Sequence, residues 1–267
     1  MSNSSTNNHF KVIAVTNQKG GVGKTTTTIN LSAALVELGK KVLIIDLDPQ
    51  GNASTGLGID YEQRNLTVYD VLLAEAAISS AILPTSMAGL DIVPSTVDLS
   101  SADIDLIKTS NHSTALSRAL VEDKTLADNY DFIFVDCPPS LSLLTINAMV
   151  VSDSVLIPLQ SEFFALEGLS QLMLSVREVR KSVNTGLRFE GVVLTMFDRR
   201  NNLSQQVEKD ARENLGELVF KTVIPRNVRV SEAPSHSVPV LTYEPRSRGA
   251  QAYRRLAKEF LKNNKSI

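Results

Sequence analysis

The sequence has little cysteine, no long apolar run and no signal-like start, and each absence excludes a class of protein. The single cysteine, Cys137, excludes an intramolecular disulfide and leaves no thiol cluster for zinc or iron–sulfur within one chain. The longest apolar runs, such as 42–45 and 132–135, have the length of a strand, so none predicts a membrane span. The first ten residues are polar and uncharged, without the basic and then apolar order of a secretory signal. These features favour the cytoplasm.

Internal repeats, low-complexity blocks and linkers rich in Pro, Gly or Ser are also missing from the sequence. Residues 1–10 are predicted to be a disordered tail, and residues 11–267 to be a single domain. With 43% hydrophobic residues, a domain of this length can bury a substantial core.

Short apolar segments alternate with segments of helical periodicity along the whole domain. Strands are predicted at 11–16, 41–46, 90–93, 132–136, 154–159 and 191–195. Helices are predicted at 25–38, 113–128, 143–151, 166–183 and 203–215. Because the strands are apolar throughout and separated by helices, the pattern predicts an α/β fold, a mostly parallel twisted sheet with helices on both faces.

A glycine-rich turn joins the first predicted strand to the first predicted helix. It reads TNQKGGVGKTTTT over residues 16–28. Glycines allow backbone N–H groups to close on phosphate oxygens, and the helix N-terminus adds positive potential. Lys24 can reach the β- and γ-phosphates of a nucleotide, and the Thr25 hydroxyl can bind Mg²⁺. The generic pattern G-x-x-x-x-G-K-[ST] fits except that Gln18 stands at the first glycine position.

The same turn holds a second lysine, Lys19, which a single phosphate site does not require. With it, the segment K-G-G-V-G-K-T (19–25) resembles the deviant Walker A motif of the ParA/MinD class of P-loop ATPases. The resemblance implies a P-loop NTPase fold, ATP and Mg²⁺ as cofactors, and a homodimer that forms when ATP is bound. In that dimer Lys24 would serve its own nucleotide and Lys19 its neighbour's, as an arginine finger does. Alternatively, Lys19 only adds positive potential to its own loop. The nucleotide-binding residues implied here are Lys19, Gly20, Gly21, Val22, Gly23, Lys24, Thr25 and Thr26.

Three aspartates follow two of the apolar strands. The stretch VLIIDLDPQGN places Asp46 and Asp48 after the second predicted strand, and FIFVDCPPS places Asp136 after a later one. Burying a polar group without a partner costs about 2–7 kcal/mol, and burying an unpaired carboxylate costs more. Hydrated Mg²⁺ beside a triphosphate is a suitable partner for such carboxylates.

The resemblance assigns roles to these residues. Asp48 would position the attacking water, so the catalytic set is Lys19, Lys24 and Asp48. Asp136 matches the Walker B aspartate, and the magnesium site would be formed by Thr25, Asp46 and Asp136. Two alternatives remain open: Asp48 is an ordinary helix N-cap, or the protein senses nucleotide without turnover and Asp48 is idle.

The resemblance extends over residues 11–260. The stretches LQSEFFALEGL (159–169), VLTMFDRRNNLSQQV (193–207) and VIPRNVRVSEAPSHSVPV (223–240) are similar to the chromosomal ParA (Soj) subgroup. By that analogy adenine would be enclosed by Met196, Pro225, Arg226 and Asn227, and the amide of Asn227 suits an adenine edge. The alternative for this segment is an ordinary surface loop.

Positive charge is concentrated at the end of the chain. Residues 221–267 hold 10 Lys and Arg against 3 Asp and Glu, a net of +7, whereas residues 1–220 hold 17 against 26, a net of −9. A solvated basic helix is one explanation, and polyanion binding is the other. Guanidinium groups suit phosphate oxygens and need no base readout. The resemblance implies non-specific DNA binding across the dimer, through Arg199, Arg200, Arg229, Arg248 and Arg254.

The implied function is an ATPase on the nucleoid that partitions chromosomal or plasmid DNA with a ParB-type stimulating partner. The main alternative is a MinD-like membrane ATPase, because residues 252–265 form an amphipathic pattern. Lipid binding would need its apolar face to be exposed, and a terminal helix docked on its own domain is the commoner case, so we expect no membrane binding. A reductase of the nitrogenase iron-protein type is excluded, because its bridging cluster needs two cysteines per subunit.

Overall fold

The computed structural model describes residues 10–108, 112–162 and 165–264, without the side chains of residues 165 and 166. Residues 1–9 of the predicted tail therefore lie outside the described residues. Phe10, which we had assigned to the tail, is only 5% exposed and packs in the core. The ordered domain thus begins no later than Phe10, and this boundary of the tail was wrong by one residue.

The described residues contain a single seven-stranded sheet. Its strands are β1 (Lys11–Val15), β2 (Val42–Asp46), β3 (Leu83–Pro84), β4 (Leu90–Val93), β5 (Phe132–Asp136), β6 (Ser154–Gln160) and β7 (Arg188–Thr195). Their order is β3-β4-β2-β5-β1-β6-β7. Only the short edge strand β3 is antiparallel to its neighbour, so the predicted, mostly parallel sheet is confirmed.

The helices of the described residues vary from single turns to 18 residues in length. They are α1 (Lys24–Glu37), α2 (Asn52–Gly56), α3 (Val68–Leu72), α4 (Ile78–Ala81), α5 (Ala102–Ile107), α6 (Ala115–Glu122), α7 (Leu126–Asn129), α8 (Leu143–Val151), α9 (Ala165–Ser182), α10 (Asn202–Leu215), α11 (Val228–Glu232), α12 (Val240–Tyr243) and α13 (Arg248–Asn263). Short 3₁₀ segments lie at Tyr61–Gln63, Val97–Ser101, Gly216–Leu218 and Ala233–His236.

The helix predicted over 113–128 is broken into α6 and α7. Asp123 adopts an extended conformation, with φ −94° and ψ 94°, where α6 ends. Its carboxylate accepts hydrogen bonds from the backbone N–H and the hydroxyl of Thr125, and also from the Ser79 N–H. A short acidic side chain that satisfies nearby backbone donors competes with helix continuation, which explains the break.

Helices cover both faces of the sheet, as the apolar strands predicted. Alternate residues of β1 point to opposite faces: Ile13 and Val15 pack with α1 and α13, whereas Val12 and Ala14 pack with α3 to α6 and α8. A third cluster joins β6 and β7 to α9 and α10. The described residues therefore form a three-layer α/β arrangement with apolar clusters on both faces of the sheet.

The strand register brings the site residues together. β1 lies between β5 and β6, and Val15 is paired with Asp136 at the end of β5. Asp136 is in turn paired with Asp46 at the end of β2. The glycine turn after β1 and the acidic ends of β2 and β5 therefore meet at the carboxyl edge of the sheet, where ligands bind in this architecture.

The C-terminal helix α13 is docked on the domain. Its apolar side chains Tyr253, Leu256, Ala257 and Phe260 are buried, and the Phe260 ring lies 5.4 Å from that of Phe132. The apolar stripe is therefore part of the core and is not available to dip into lipid. None of the described helices is both long enough and apolar enough to cross a bilayer.

Candidate active site

The glycine turn has the backbone of a phosphate loop. Gly21 and Gly23 have φ values of 73° and 85°, a region that side chains with a Cβ rarely adopt. Helix α1 starts directly after Gly23, so its free N–H groups face the turn. A cavity of about 460 Å³ adjoins the turn and is lined by Gly20, Gly21, Gly23, Lys24, Thr25, Thr26 and Asp48, among others.

Two polar residues that the sequence analysis missed fix this turn in place. The Thr195 hydroxyl at the end of β7 donates to the Val22 carbonyl over 2.8 Å. The Asn17 side chain donates to the Pro158 carbonyl over 2.8 Å and accepts from the Lys19 N–H over 3.1 Å. Asn17 and Thr195 are buried, and their hydrogen bonds hold the turn to β6, which lies beside β1, and to β7.

The two lysines of the turn point to different surroundings. Lys24 is only 7% exposed, and its Nζ donates to the Lys19 carbonyl over 3.3 Å, folded back across the turn. Burial lowers the pKa of Lys24, and the Asp136 carboxylate opposes that shift. The side chain of Lys19 is 43% exposed and forms an ion pair with Glu162. Lys24 therefore faces its own cavity, whereas Lys19 lies at the surface.

Asp136 is fully buried beneath the turn and is held by two threonines of α1. The Thr25 hydroxyl donates to Asp136 Oδ2 over 2.7 Å, and the Thr28 hydroxyl donates to Oδ1 over 3.0 Å. Burial, together with the neighbouring Asp46 carboxylate, raises the pKa of Asp136 to about 8. Thr28 was missed by the sequence analysis, although its place four residues after Lys24 could have indicated it.

The raised pKa of Asp136 predicts that stability falls with pH when Mg²⁺ and nucleotide are left out. The folded chain keeps a proton that the unfolded chain releases near pH 4, about the ordinary value for Asp. Stability is therefore lost as pH rises from about 4 towards about 8. Asp136→Asn, which stays neutral, should melt close to wild type at pH 5 and higher than wild type at pH 9.

Differential scanning calorimetry across this pH range measures the effect. The exposed Asp128→Asn serves as the matched control and should follow wild type at every pH. A constant difference in melting temperature between Asp136→Asn and wild type would contradict the assignment.

Asp46 is bonded within its own loop. Its Oδ2 accepts from the backbone N–H and the hydroxyl of Ser54, over 2.8 and 2.7 Å, and its Oδ1 accepts from the Asp48 N–H over 3.3 Å. Burial raises the pKa of Asp46 to about 6, and the Ser54 hydrogen bonds oppose that shift. Asp46 thus organises the chain around Asp48, and its predicted part in the magnesium shell stays a prediction.

Asp48 lies at the wall of the phosphate cavity and is 7% exposed. One of its oxygens accepts from the Gln50 N–H over 2.9 Å, which orients the carboxylate at the loop. Helix α2 begins at Asn52 with Gly51 as its N-cap. The alternative that Asp48 is an ordinary helix N-cap was therefore wrong.

A second cavity of about 410 Å³ adjoins the first, and Gly23, Thr26 and Met196 line both. It is also lined by the predicted adenine residues Pro225, Arg226 and Asn227. Backbone bonds from Phe197 to Ile224 and from Arg226 to Phe197 tie the two segments together. Within the described part of the chain, the buried Oδ1 of Asn227 has no hydrogen-bond partner. These segments enclose a cavity, and the predicted adenine contacts stay a prediction.

Comparisons with known proteins agree with this geometry. A family model described as an AAA domain (AAA_31) matches residues 10–189. The chain is 53% identical over 253 residues to the sporulation initiation inhibitor protein Soj of Bacillus subtilis (strain 168), covering 95% of this chain and 99% of that protein. It is 54% identical over 254 residues to the chromosome partitioning protein ParA of Caulobacter vibrioides (strain NA1000 / CB15N), covering 95% of each. The chain belongs to the ParA/Soj family of chromosome-partitioning ATPases.

A solved structure extends the comparison from sequence to fold. This ParA/Soj family member matches the cobyrinic acid a,c-diamide synthase of Mycobacterium smegmatis with bound ADP and magnesium at a TM-score of 0.83. The two share 36% sequence identity, and the match covers 96% of each chain. The predicted P-loop NTPase fold and the predicted enzyme class, an ATPase, are confirmed.

The predicted DNA-binding arginines of this ParA/Soj chain differ in their surroundings. Arg199 and Arg248 are exposed, whereas Arg200 is paired with Asp198 and Arg229 with Glu232. Arg254 is committed to a bidentate ion pair with Glu37 on α1, at 2.6 and 2.7 Å. Its guanidinium links α13 to α1 and is therefore less available to bind DNA phosphates than the prediction requires.

An exposed basic stripe runs along α13 instead. Arg248, Arg255, Lys258 and Lys262 are separated by seven, three and four residues, which places them on one helix face. All four are exposed, and none has an ion pair with any residue that the structure describes. From Arg248 to Lys262 the stripe spans about 21 Å of α13. Arg248 is among the residues predicted above to bind DNA, and the resemblance also points to Arg255 and Lys258.

Proposed function

We propose that this ATPase dimerises when it binds ATP, binds DNA without sequence preference, and drives the partition of chromosomal or plasmid DNA with a ParB-type partner. The observation that carries the proposal is the two-lysine glycine turn, with Lys24 inside the phosphate cavity and Lys19 outside it. The dimer would act in the cytoplasm, on the nucleoid.

The phosphate cavity fits ATP and Mg²⁺, the cofactors of this ATPase. Hydroxyl and carboxylate oxygens are the ligands that Mg²⁺ prefers, and Thr25 and Asp136 offer them side by side. Bound there, Mg²⁺ would neutralise charge on the β- and γ-phosphates. The positive ion would also offset the cost of burying Asp136, which is protonated more readily than an ordinary carboxylate.

Lys24 and Asp48 would have separate roles in hydrolysis. Lys24 would bind the phosphates of its own nucleotide together with the N–H groups at the start of α1. Asp48, at the cavity wall, would orient the attacking water and take its proton on a carboxylate oxygen. Adenine would lie in the second cavity, beside the side-chain amide of Asn227.

Lys19 supports a dimerisation switch because its side chain is at the surface. A cation delivered across an interface stabilises the phosphate charge only when two loaded subunits meet. Lys19 would therefore leave Glu162 and reach the nucleotide of the second subunit. ATP then controls assembly as well as providing the substrate.

The DNA surface would combine the α13 stripe with Arg199 and Arg229. Gly249 packs so tightly on α11 that a Cβ would lie 2.2 Å from the Val230 side chain. Arg229 and Arg248 therefore flank the same contact, and the stripe continues from it along α13. In a dimer two such surfaces act together, so affinity increases through effective concentration without new contacts. A MinD-like membrane role is disfavoured because the apolar face of α13 is buried.

Charge reversal on the stripe tests the proposal. Arg255→Glu in an Asp48→Ala background should weaken ATP-dependent DNA binding at least tenfold. Since each dimer loses two phosphate contacts, the slope of log affinity against log salt should fall by about 2. Fluorescence anisotropy of two unrelated labelled duplexes at several salt concentrations gives both values.

The control is Lys181→Glu, also an exposed cation, at the end of α9 and outside the stripe. It should bind like the background protein. Wild-type affinity of Arg255→Glu would remove the α13 stripe from the proposal. Flotation of the ATP-bound protein with anionic vesicles, without DNA binding, would favour the MinD-like alternative.

A further inference from the structure

We propose that Ser54 is a positioning residue for hydrolysis, acting on Asp48 through Asp46. This inference rests on the proposed role of Asp48. Ser54 lies on α2, six residues after Asp48. Among the described residues it has no hydrogen bond to the glycine turn. Its hydroxyl is the middle member of a buried relay between two strand ends.

The relay has a defined direction. The Ser95 N–H donates to Ser54 Oγ over 3.1 Å, so that oxygen is the acceptor there. Its single hydroxyl hydrogen is then directed to Asp46 Oδ2, over 2.7 Å. The other oxygen of Asp46 accepts the N–H of Asp48 over 3.3 Å. The backbone of Asp48 is therefore connected to Ser95 through one carboxylate and one hydroxyl.

Every residue of the relay before Asp48 is inaccessible to solvent. Ser54, Asp46 and Ser95 are all 0% exposed, so solvent cannot replace a bond that is lost. The loop is also close-packed. A Cβ at Gly51, three residues after Asp48, would lie 3.0 Å from the Ser95 carbonyl oxygen. The segment that follows β4 therefore braces the loop that carries Asp48.

Deleting the Ser54 hydroxyl would leave the Ser95 N–H without its acceptor and Asp46 Oδ2 with one donor in place of two. The Asp46 carboxylate could then rotate, and the Asp48 N–H would lose one of the hydrogen bonds that hold its loop, while the Gly51 and Gln50 N–H groups still donate to Asp48. A misplacement of about 1 Å in a catalytic group costs about 100-fold in rate. The phosphate turn is anchored separately, through Asn17 and Thr195, so nucleotide affinity should not change.

Steady-state ATP hydrolysis and direct ATP binding test this separation in the full-length protein. Ser54→Ala should lower kcat by about 10- to 100-fold while KM and the ATP dissociation constant change less than about twofold. Ser32→Ala is the matched control. Ser32 is also a fully buried serine, and its hydroxyl has no hydrogen-bond partner among the described residues, so kcat should stay at the wild-type value.

Two results would overturn the inference. One is a kcat for Ser54→Ala equal to that of Ser32→Ala. The other is a fall in kcat matched by an equal loss of ATP affinity, which would mean general damage to the site. If Ser54→Ala does not fold, Ser54→Cys, which keeps the volume and a weaker donor, is judged by the same separation. Asp48→Ala is measured in parallel. Normal turnover in that variant would refute the proposed role of Asp48, whatever Ser54 does.

Discussion

Asp48→Ala should bind ATP with unchanged affinity and lose hydrolysis by about 100-fold or more, the range expected when a positioned acid–base group is removed. Asp48 lies at the wall of the phosphate cavity and has no hydrogen bond to the glycine turn among the described residues, so binding and turnover should separate. Phosphate release under saturating ATP, together with isothermal titration calorimetry, measures the two quantities.

Asp60→Ala provides the control for this variant, because Asp60 is exposed and lies outside the phosphate cavity. It should hydrolyse ATP at the wild-type rate. If Asp48→Ala releases phosphate as fast as Asp60→Ala, Asp48 is not the hydrolysis residue.

Lys19→Ala should bind ATP but remain monomeric, and its turnover should fall by about 1,000-fold, the lower end of what a cation supplied in trans contributes. The reason is geometric: Lys24 faces its own cavity, while Lys19 lies at the surface, where it can reach a second subunit. Light scattering in the Asp48→Ala background, where ATP is not consumed, compares the oligomeric states with and without ATP.

Lys19→Ala removes both the cation and its ion pair with Glu162, and Glu162→Gln separates these two effects. It removes the ion pair within the subunit but keeps the lysine, so ATP should still produce a dimer. A surface ion pair of this kind is worth about 0–1 kcal/mol, too little to explain loss of the dimer by itself. If Lys19→Ala still dimerises with ATP, Lys19 acts only within its own loop.

The sequence analysis located the main strands and the phosphate site because both depend on local patterns. The apolar runs 42–45 and 132–135 are long enough to identify buried strands, and the glycine turn contains its glycines and lysines within seven residues. Segment 47–89 was not assigned, because its helices have only four or five residues and are too short for the helical period to repeat.

The supporting residues of the site could not be found in this way. Thr28 and Asp136 are 108 positions apart in the chain, and Thr195 is 173 positions from Val22. Such contacts depend on the order of the strands in the sheet, and no local pattern encodes that order. The same limit applies to Arg254: its charge is visible in the sequence, but its pairing with Glu37 depends on how α13 packs against α1.

The docking of α13 on the domain affects the free-energy cost of binding a polyanion. Because Tyr253, Leu256 and Phe260 are already buried in the core, the cations on the outer face of α13 are presented on a preformed scaffold. The described part of α13 would not have to fold on binding the phosphate groups of the proposed polyanion, so counterion release would not be offset there by the 2–5 kcal/mol or so that coupled folding typically costs. Under the proposed function, contacts of this kind would form and break without unfolding α13, so DNA could be bound and released repeatedly.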